Sequence, residues 1–239
     1  MNELQKKYQQ EICAMVEACR RCAELNYVTS SGGNLSLRVD ENRLLITPTK
    51  TLKRKMEFDD ICLIDQTGNI IYTKEGKKPT GEWPFHTRIM VKRPDVRAIV
   101  HAHPPCLTGF AIANDGSMNL PYLPEPIIEI GPLCMVPYET PLSEALSEKF
   151  DAVMDLSNGF LMENHGAVFC SPIGIGDAVE LLNMAECMAS SVFVAKVLGN
   201  AKPIPAHFVR EMDEVIRIRK LKMPGASGKY QSASELYRQ

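Results

Sequence analysis

The chain carries no excess of positive charge: in 239 residues, 27 Lys and Arg stand against 29 Asp and Glu, for a net charge of −2. A protein that grips nucleic acid regardless of its sequence normally shows a basic excess, so that class is not expected. No uninterrupted apolar run reaches the ~18 residues of a membrane span, and no membrane association is expected. The first ten residues, MNELQKKYQQ, lack the apolar core of a signal peptide. Neither G-x-G-x-x-G nor G-x-x-x-x-G-K-[ST] occurs, and no internal repeat is visible. The 8 cysteines do not read as the disulfide framework of a short secreted chain. Together these absences point to a reduced, cytoplasmic protein. Cys19-Arg-Arg-Cys22 is a C-x-x-C, but it has no second pair and lies in a helical pattern. Helix packing is its expected role.

The composition that remains is ordinary for a globular chain, with 45% hydrophobic and 23% charged residues. Ile12, Met15, Val16, Cys19, Cys22 and Leu25 recur at helical spacing, predicting one amphipathic helix over 3–26. A loop at 30–34 precedes two alternating segments, Leu35–Val39 and Leu44–Thr47, which read as strands. Residues 61–65 and 70–72 predict a hairpin. Helices are expected at 82–92, 105–113, 142–154, 177–198 and 206–221, and strands at 96–100, 159–163 and 167–170. The proline-rich stretch 119–138 is expected to bend around an edge. No linker divides the chain. The expected fold is one α/β domain over residues 1–223, with a central, mainly antiparallel sheet flanked by helices. Residues 224–239 read as a polar C-terminal tail, mobile in isolation.

Only five histidines occur: His86, His101, His103, His165 and His207. His101 and His103 are one residue apart at the end of an apolar run. On a strand, residues i and i+2 face the same side, so both imidazoles can reach one ion. His165 lies in Glu163-Asn164-His165-Gly166, a turn between two apolar strands, where the glycine is expected to relieve the backbone. Three neutral imidazoles with an open fourth position match catalytic zinc. Glu82 opens a helix after Thr80-Gly81. It is either a charge favoured by the helix N-terminus or a carboxylate that moves between metal and substrate.

Five segments in order resemble the class II aldolase/adducin family: Gly32-Gly33-Asn34-Leu35-Ser36, Ile46-Thr47-Pro48-Thr49, Gly81-Glu82-Trp83-Pro84-Phe85-His86, Val100-His101-Ala102-His103 and Asn164-His165-Gly166. The resemblance spans roughly residues 5 to 200. It implies a three-layer α/β fold, one Zn²⁺ per subunit on His101, His103 and His165, and Glu82 as acid/base and resting-state ligand. It places a substrate phosphate among Asn34, Thr49, Thr80 and Gly81. Backbone N–H groups of a glycine-rich turn and small hydroxyls suit such an anion. His86 belongs to the motif as a packing or supporting residue rather than a ligand. His207 matches nothing and reads as a surface or packing residue.

The implied reaction is reversible cleavage of a ketose 1-phosphate of the fuculose type to dihydroxyacetone phosphate and an aldehyde, through a zinc-stabilised enediolate. The small phosphorylated sugar is the implied partner, and a homotetramer the implied assembly. The sequence departs from the family's fuculose-phosphate pattern twice. Lys50 replaces a glycine and either meets the phosphate or points to solvent. Glu125 falls near the position of a catalytic tyrosine, leaving Tyr122, Glu125 or a tail residue, Tyr230, as the acid/base for a C4 hydroxyl. The family alternatives are a decarboxylase of a phosphorylated 3-oxo sugar acid, a pentulose-phosphate epimerase, a dehydratase and a non-catalytic adducin-like module.

Overall fold

A computed structural model describes residues 2–238. The N-terminal helical pattern forms two pieces, α1 (Glu3–Lys7) and α2 (Gln9–Glu24). They meet at Tyr8, whose φ of −111° and ψ of 29° leave the helical range. Tyr8 is turned inward, and its hydroxyl donates to Asp40 at 2.8 Å. The expected single helix is therefore interrupted where a buried phenol needs a polar partner.

The sheet contains β1 (Asn34–Arg38), β2 (Arg43–Ile46), β3 (Cys62–Asp65), β4 (Ile70–Tyr72), β5 (Ala98–Ala102), β6 (Cys134–Val136), β7 (Gly159–Met162) and β8 (Gly166–Ser171). Their spatial order is β4-β3-β2-β1-β5-β8-β7-β6. Every neighbouring pair is antiparallel except β6 and β7, which run parallel. Around the sheet stand α3 (Trp83–Lys92), α4 (Pro105–Ala113), α5 (Pro124–Glu129), α6 (Glu144–Lys149), α7 (Ile175–Val197), α8 (Ala206–Arg219) and α9 (Ala233–Leu236). The proline-rich stretch thus holds more than a bend. It contains α5 and β6, because Pro124 and Pro126 fit a helix's first turns and the short run Cys134–Val136 pairs at the sheet edge.

Strand alternation sorts two cores. Leu35, Leu37, Ala98, Val100 and Ala102 pack with α2, α4 and α7 on one face. Leu44, Ile46, Ile99, Phe160 and Val168 pack with Phe85, Ile89 and Phe150 on the other. The result is helices on both faces of a mainly antiparallel sheet. α7 has the length and mean hydropathy of a membrane span, 1.4 over its best 18-residue window, yet half of that window is buried in this fold. It is the central core helix, contacting β1, β5 and β8.

The polar tail is docked on the domain rather than standing in isolation. Polar composition hides three anchors: Tyr230, Ala233 and Leu236 are buried. Ala233 joins Ile127, Val209 and Ile216 in a third apolar cluster. The larger anchor is Arg93, 1% exposed at the end of α3. Its guanidinium donates to Met154 O (3.1 Å), Ser157 O (2.8 Å), Asn158 Oδ1 (3.0 Å) and Gly225 O (2.6 Å), and pairs with Asp95 (2.6 Å). Only arginine offers five donors in one plane.

Arg93→Met should leave these acceptors unsatisfied in a dry site and lower stability by about 3 kcal/mol or more. Urea unfolding measures the loss. Limited trypsin digestion should show cleavage at Lys222 and Lys229 faster than in the wild type.

Candidate active site

The site gathers where β1, β5 and the β7–β8 turn end near the start of α3. Asn34 of β1 pairs with His101 of β5, and Ala102 of β5 with Ala167 of β8. This register sets His101 beside Asn34 and brings the turn carrying His165 to the same strand end. The nitrogen donors of His101, His103 and His165 lie within 4.8 Å of one another. Asn164 takes the left-handed conformation, φ +54°, so the backbone relief expected at Gly166 occurs earlier in the turn, at Asn164. Gly166 is needed for space instead: a Cβ there would meet Ala102 O and His103 Cδ2, each at 2.6 Å.

His101 is fully buried. Its Nδ1–H donates to Ala167 O at 3.0 Å, which leaves the Nε2 lone pair facing the cluster. Nε2 is buried without a hydrogen-bond partner. Burial first, then the neighbouring His103 and His165, holds the His101 pKa well below the ordinary value. Burial, then His165, lowers that of His103. A buried, unpaired, neutral imidazole nitrogen is costly, and its orientation toward two further imidazoles fits a metal ion of the class that takes nitrogen ligands.

Glu82 is the N-cap residue of α3, yet its side chain makes no capping bond. The carboxylate turns to the histidines, with Oε2 3.4 Å from His101 Nε2 and Oε1 3.5 Å from His165 Nε2. A buried chain of hydrogen bonds holds it there. Asn34 Nδ2 donates to Glu82 Oε2 at 2.6 Å. His86 Nε2–H donates to Asn34 Oδ1 at 2.5 Å, and Ser36 Oγ–H donates to His86 Nδ1 at 2.7 Å. This assignment follows from the amide, whose oxygen can only accept. Burial holds the His86 pKa down at about 3, which keeps the ring neutral.

Three of the four residues expected around a phosphate come together. Thr49 N donates to Lys78 O (2.9 Å) and Thr80 N to Thr47 O (3.0 Å), with Pro48 bridged to Pro79, so Thr49, Thr80 and Gly81 occupy adjacent loops. The fourth, Asn34, has its amide engaged by Glu82 and His86. Lys50 is exposed with φ +52°. Tyr122 is half-buried against the core, Glu125 is exposed, and Tyr230 is buried in the docked tail. None of the three hydrogen-bonds a site residue among the described residues. Cys19 and Cys22 are wholly buried, and burial pushes both thiols up to about 12, so they are neutral packing groups. His207 lies against Phe208 at the exposed start of α8, with ring centroids 4.1 Å apart and the planes tilted by 41°.

Sequence reasoning missed Lys53. In Lys53-Arg54-Lys55 it reads as part of a solvated charge run. In the fold it is 1% exposed, and its Nζ donates to Ser31 O (3.2 Å) and Thr51 O (3.4 Å).

The family model of the Class II Aldolase and Adducin N-terminal domain matches residues 13–192. The chain is 32% identical over 157 residues to a 3-oxo-tetronate 4-phosphate decarboxylase of Haemophilus influenzae, covering 64% of this chain and 73% of that protein. It is 33% identical over 158 residues to an L-fuculose phosphate aldolase of Methanococcus maripaludis, covering 66% of this chain and 83% of that protein. Among solved structures it resembles YgbL of Klebsiella pneumoniae, whose description offers aldolase, epimerase and decarboxylase as alternatives. That match has a TM-score of 0.74 and 27% identity, and covers 82% of this chain and 92% of the other.

The buried neutral His86 has a pH signature. Burial holds its pKa at about 3 in the folded chain, against about 6.5 for an ordinary imidazole. Between these values the unfolded chain binds the additional proton, so stability falls as pH falls. Metal-free protein should lose stability from pH 7 to pH 4, and His86→Gln should flatten the dependence by up to about 1.4 kcal/mol per pH unit. Urea unfolding at a series of pH values reads the difference; parallel wild-type and variant curves would contradict it.

Proposed function

The chain belongs to the class II aldolase and adducin family, and we propose that it is a zinc-dependent aldolase acting on a ketose 1-phosphate. Its family relatives are carbon–carbon bond-breaking enzymes of phosphorylated sugars and sugar acids, named aldolase in one case and decarboxylase in another. The observation that carries the reading is the buried, unpartnered His101 Nε2 facing His103, His165 and the Glu82 carboxylate.

The three imidazoles are the proposed holders of one Zn²⁺, with Glu82 as an additional resting ligand. Bound there, zinc would supply a Lewis acid for negative charge on substrate oxygens. The chain's own chemistry is proton transfer. For cleavage, Glu82 enters protonated, the C4 hydroxyl gives its proton to solvent water, the C3–C4 bond breaks, and the aldehyde leaves. The electron pair remains on the dihydroxyacetone phosphate fragment as an enediolate. Glu82 delivers a proton to C3, and in the condensation direction removes it. Asn34 holds the carboxylate for this task, and His86 holds Asn34. Thr49, Thr80 and Gly81 take the phosphate, with small hydroxyls and the N-terminus of α3.

A second reading is favoured by one observation. Among the described residues, no tyrosine hydroxyl hydrogen-bonds Glu82 or the three histidines. Decarboxylation of a phosphorylated 3-oxo sugar acid needs no group acting on a C4 hydroxyl: CO₂ leaves, and the same enediolate takes its proton from Glu82. The Haemophilus influenzae relative carries that activity in its name.

Two measurements test these readings. Zinc-loaded protein mixed with dihydroxyacetone phosphate in D₂O should exchange one C3 proton, followed by NMR. Glu82→Gln should slow that exchange by about 10³-fold or more. Exchange supports the enediolate step common to both readings; cleavage of a ketose 1-phosphate without CO₂ release from a 3-oxo-tetronate 4-phosphate supports the aldolase, and CO₂ release without that cleavage supports the decarboxylase. Separately, metal analysis should find one zinc per chain after dialysis. Zinc should raise the melting temperature of the wild type, and His101→Ala should abolish both effects.

A further inference from the structure

Lys53 is a buried cation without a counter-ion. It is 1% exposed, and no carboxylate pairs with it among the described residues; Asp60 is taken by Lys74 and Lys77. An ammonium has three donors. Two of them go to the carbonyls of Ser31 and Thr51, and neither acceptor carries a charge.

The groups around it do not supply the missing charge. Cys19 and Cys22 act on Lys53, but burial keeps both thiols neutral. Glu82 also acts on it, yet no ion pair joins the two among the described residues, and that carboxylate accepts from Asn34 Nδ2 and faces His101 and His165. Burying an unpaired charge is expensive. A methionine would fill the same volume without that cost, so packing alone does not account for a lysine here.

Its two acceptors say where the charge acts. Ser31 opens the turn whose Gly32 lies on His103 and whose Gly33 lies on His101: a Cβ at Gly32 would come 3.3 Å from His103 Cε1, and one at Gly33 2.8 Å from His101 O. Thr51 follows Thr49 by two residues, and its hydroxyl donates to Thr49 O at 3.2 Å. Lys53 therefore ties the glycine turn beside the histidines to the threonine loop. It stands close enough for its charge to depress His101 and His103.

We infer that Lys53 is a substrate-binding residue whose ammonium supplies the positive charge that balances the phosphate dianion of the substrate. The inference rests on the sugar-phosphate reading above and goes beyond it by naming the charge. The threonines and the helix N-terminus shape the phosphate pocket, and Lys53 makes it select a dianion over a hydroxyl. The cation's desolvation cost is borne by the free protein and is offset when the anion arrives.

The test uses zinc-loaded, full-length protein and calorimetric titration with glycerol 3-phosphate, which carries the anion but no carbonyl, and with glycerol. The wild type should bind glycerol 3-phosphate and not glycerol. Lys53→Met and Lys53→Gln should each bind glycerol 3-phosphate about tenfold more weakly or worse. The melting temperature of Lys53→Met should be unchanged or higher, since an uncompensated buried charge has been removed. Wild-type-like binding in both variants would overturn the role of Lys53 and leave the phosphate reading standing. Wild-type-like binding in Lys53→Gln alone would assign the effect to the hydrogen bond with Ser31 and overturn the role of the charge. A large fall in melting temperature in both variants would make Lys53 a strut and overturn the inference. Failure of the wild type to prefer glycerol 3-phosphate over glycerol would overturn the phosphate reading and the inference together.

Discussion

Side chains two residues apart on a strand share a face, so His101 and His103 reach common space only while β5 keeps its register with β1 and β8. That register also sets Asn34 beside His101 and brings the β7–β8 turn to the same strand end. A slip of one residue would aim His101 into the packing against α7 and bring Val100 to the histidine cluster. Both flanking strands are antiparallel; β8 is apolar on both faces, while β1 turns Leu35 and Leu37 to one face and Asn34 and Ser36 to the other, so a slip would bury the wrong side chains on each side. The rigidity of the site is thus a property of the sheet centre. The loops contribute His103 and His165 but do not have to hold them unaided.

The second device is polar and equally buried. Ser36, His86, Asn34 and Glu82 form a line in which each member has one sensible hydrogen-bonding role. A neutral imidazole has one donor and one acceptor, and both are used. This leaves the Asn34 amide a single orientation and the Glu82 carboxylate a fixed donor. Such a line specifies geometry better than a single contact does, because reversing any member leaves two polar groups unpaired. A carboxylate meant to carry a proton gains from this: its position is set by groups that do not titrate near neutrality.

Much of this was legible in residue order. The H-x-H after an apolar run, the Asn-His-Gly turn and the Glu at a helix start are short-range patterns tied to strand and helix periodicity. The structure brings all four side chains together. The segments that escaped are those whose signal is nonlocal. β6 is three residues among prolines, and only its pairing with β7 makes it a strand. The tail is polar by composition, and its order comes from Arg93, more than 130 positions earlier in the chain. Lys53 sits in a run of three basic residues, and nothing local separates the buried one from its exposed neighbours Arg54 and Lys55. The tyrosine question belongs here too. Tyr122 follows the proline-rich pattern, but packing turns it against the core.

The reach of Arg93 bears on how the chain is made. Its guanidinium emerges from the ribosome long before its last acceptor, the Gly225 carbonyl, which follows 132 residues later. At ~5–20 residues per second that interval lasts from about 7 to about 26 seconds. Over that time the end of α3 holds a cation whose burial is incomplete, and Ser157 and Asn158 join it before the tail does. Closure of the molecule is therefore timed by its final segment. A nascent chain stalled before Gly225 lacks an acceptor that its first half already requires.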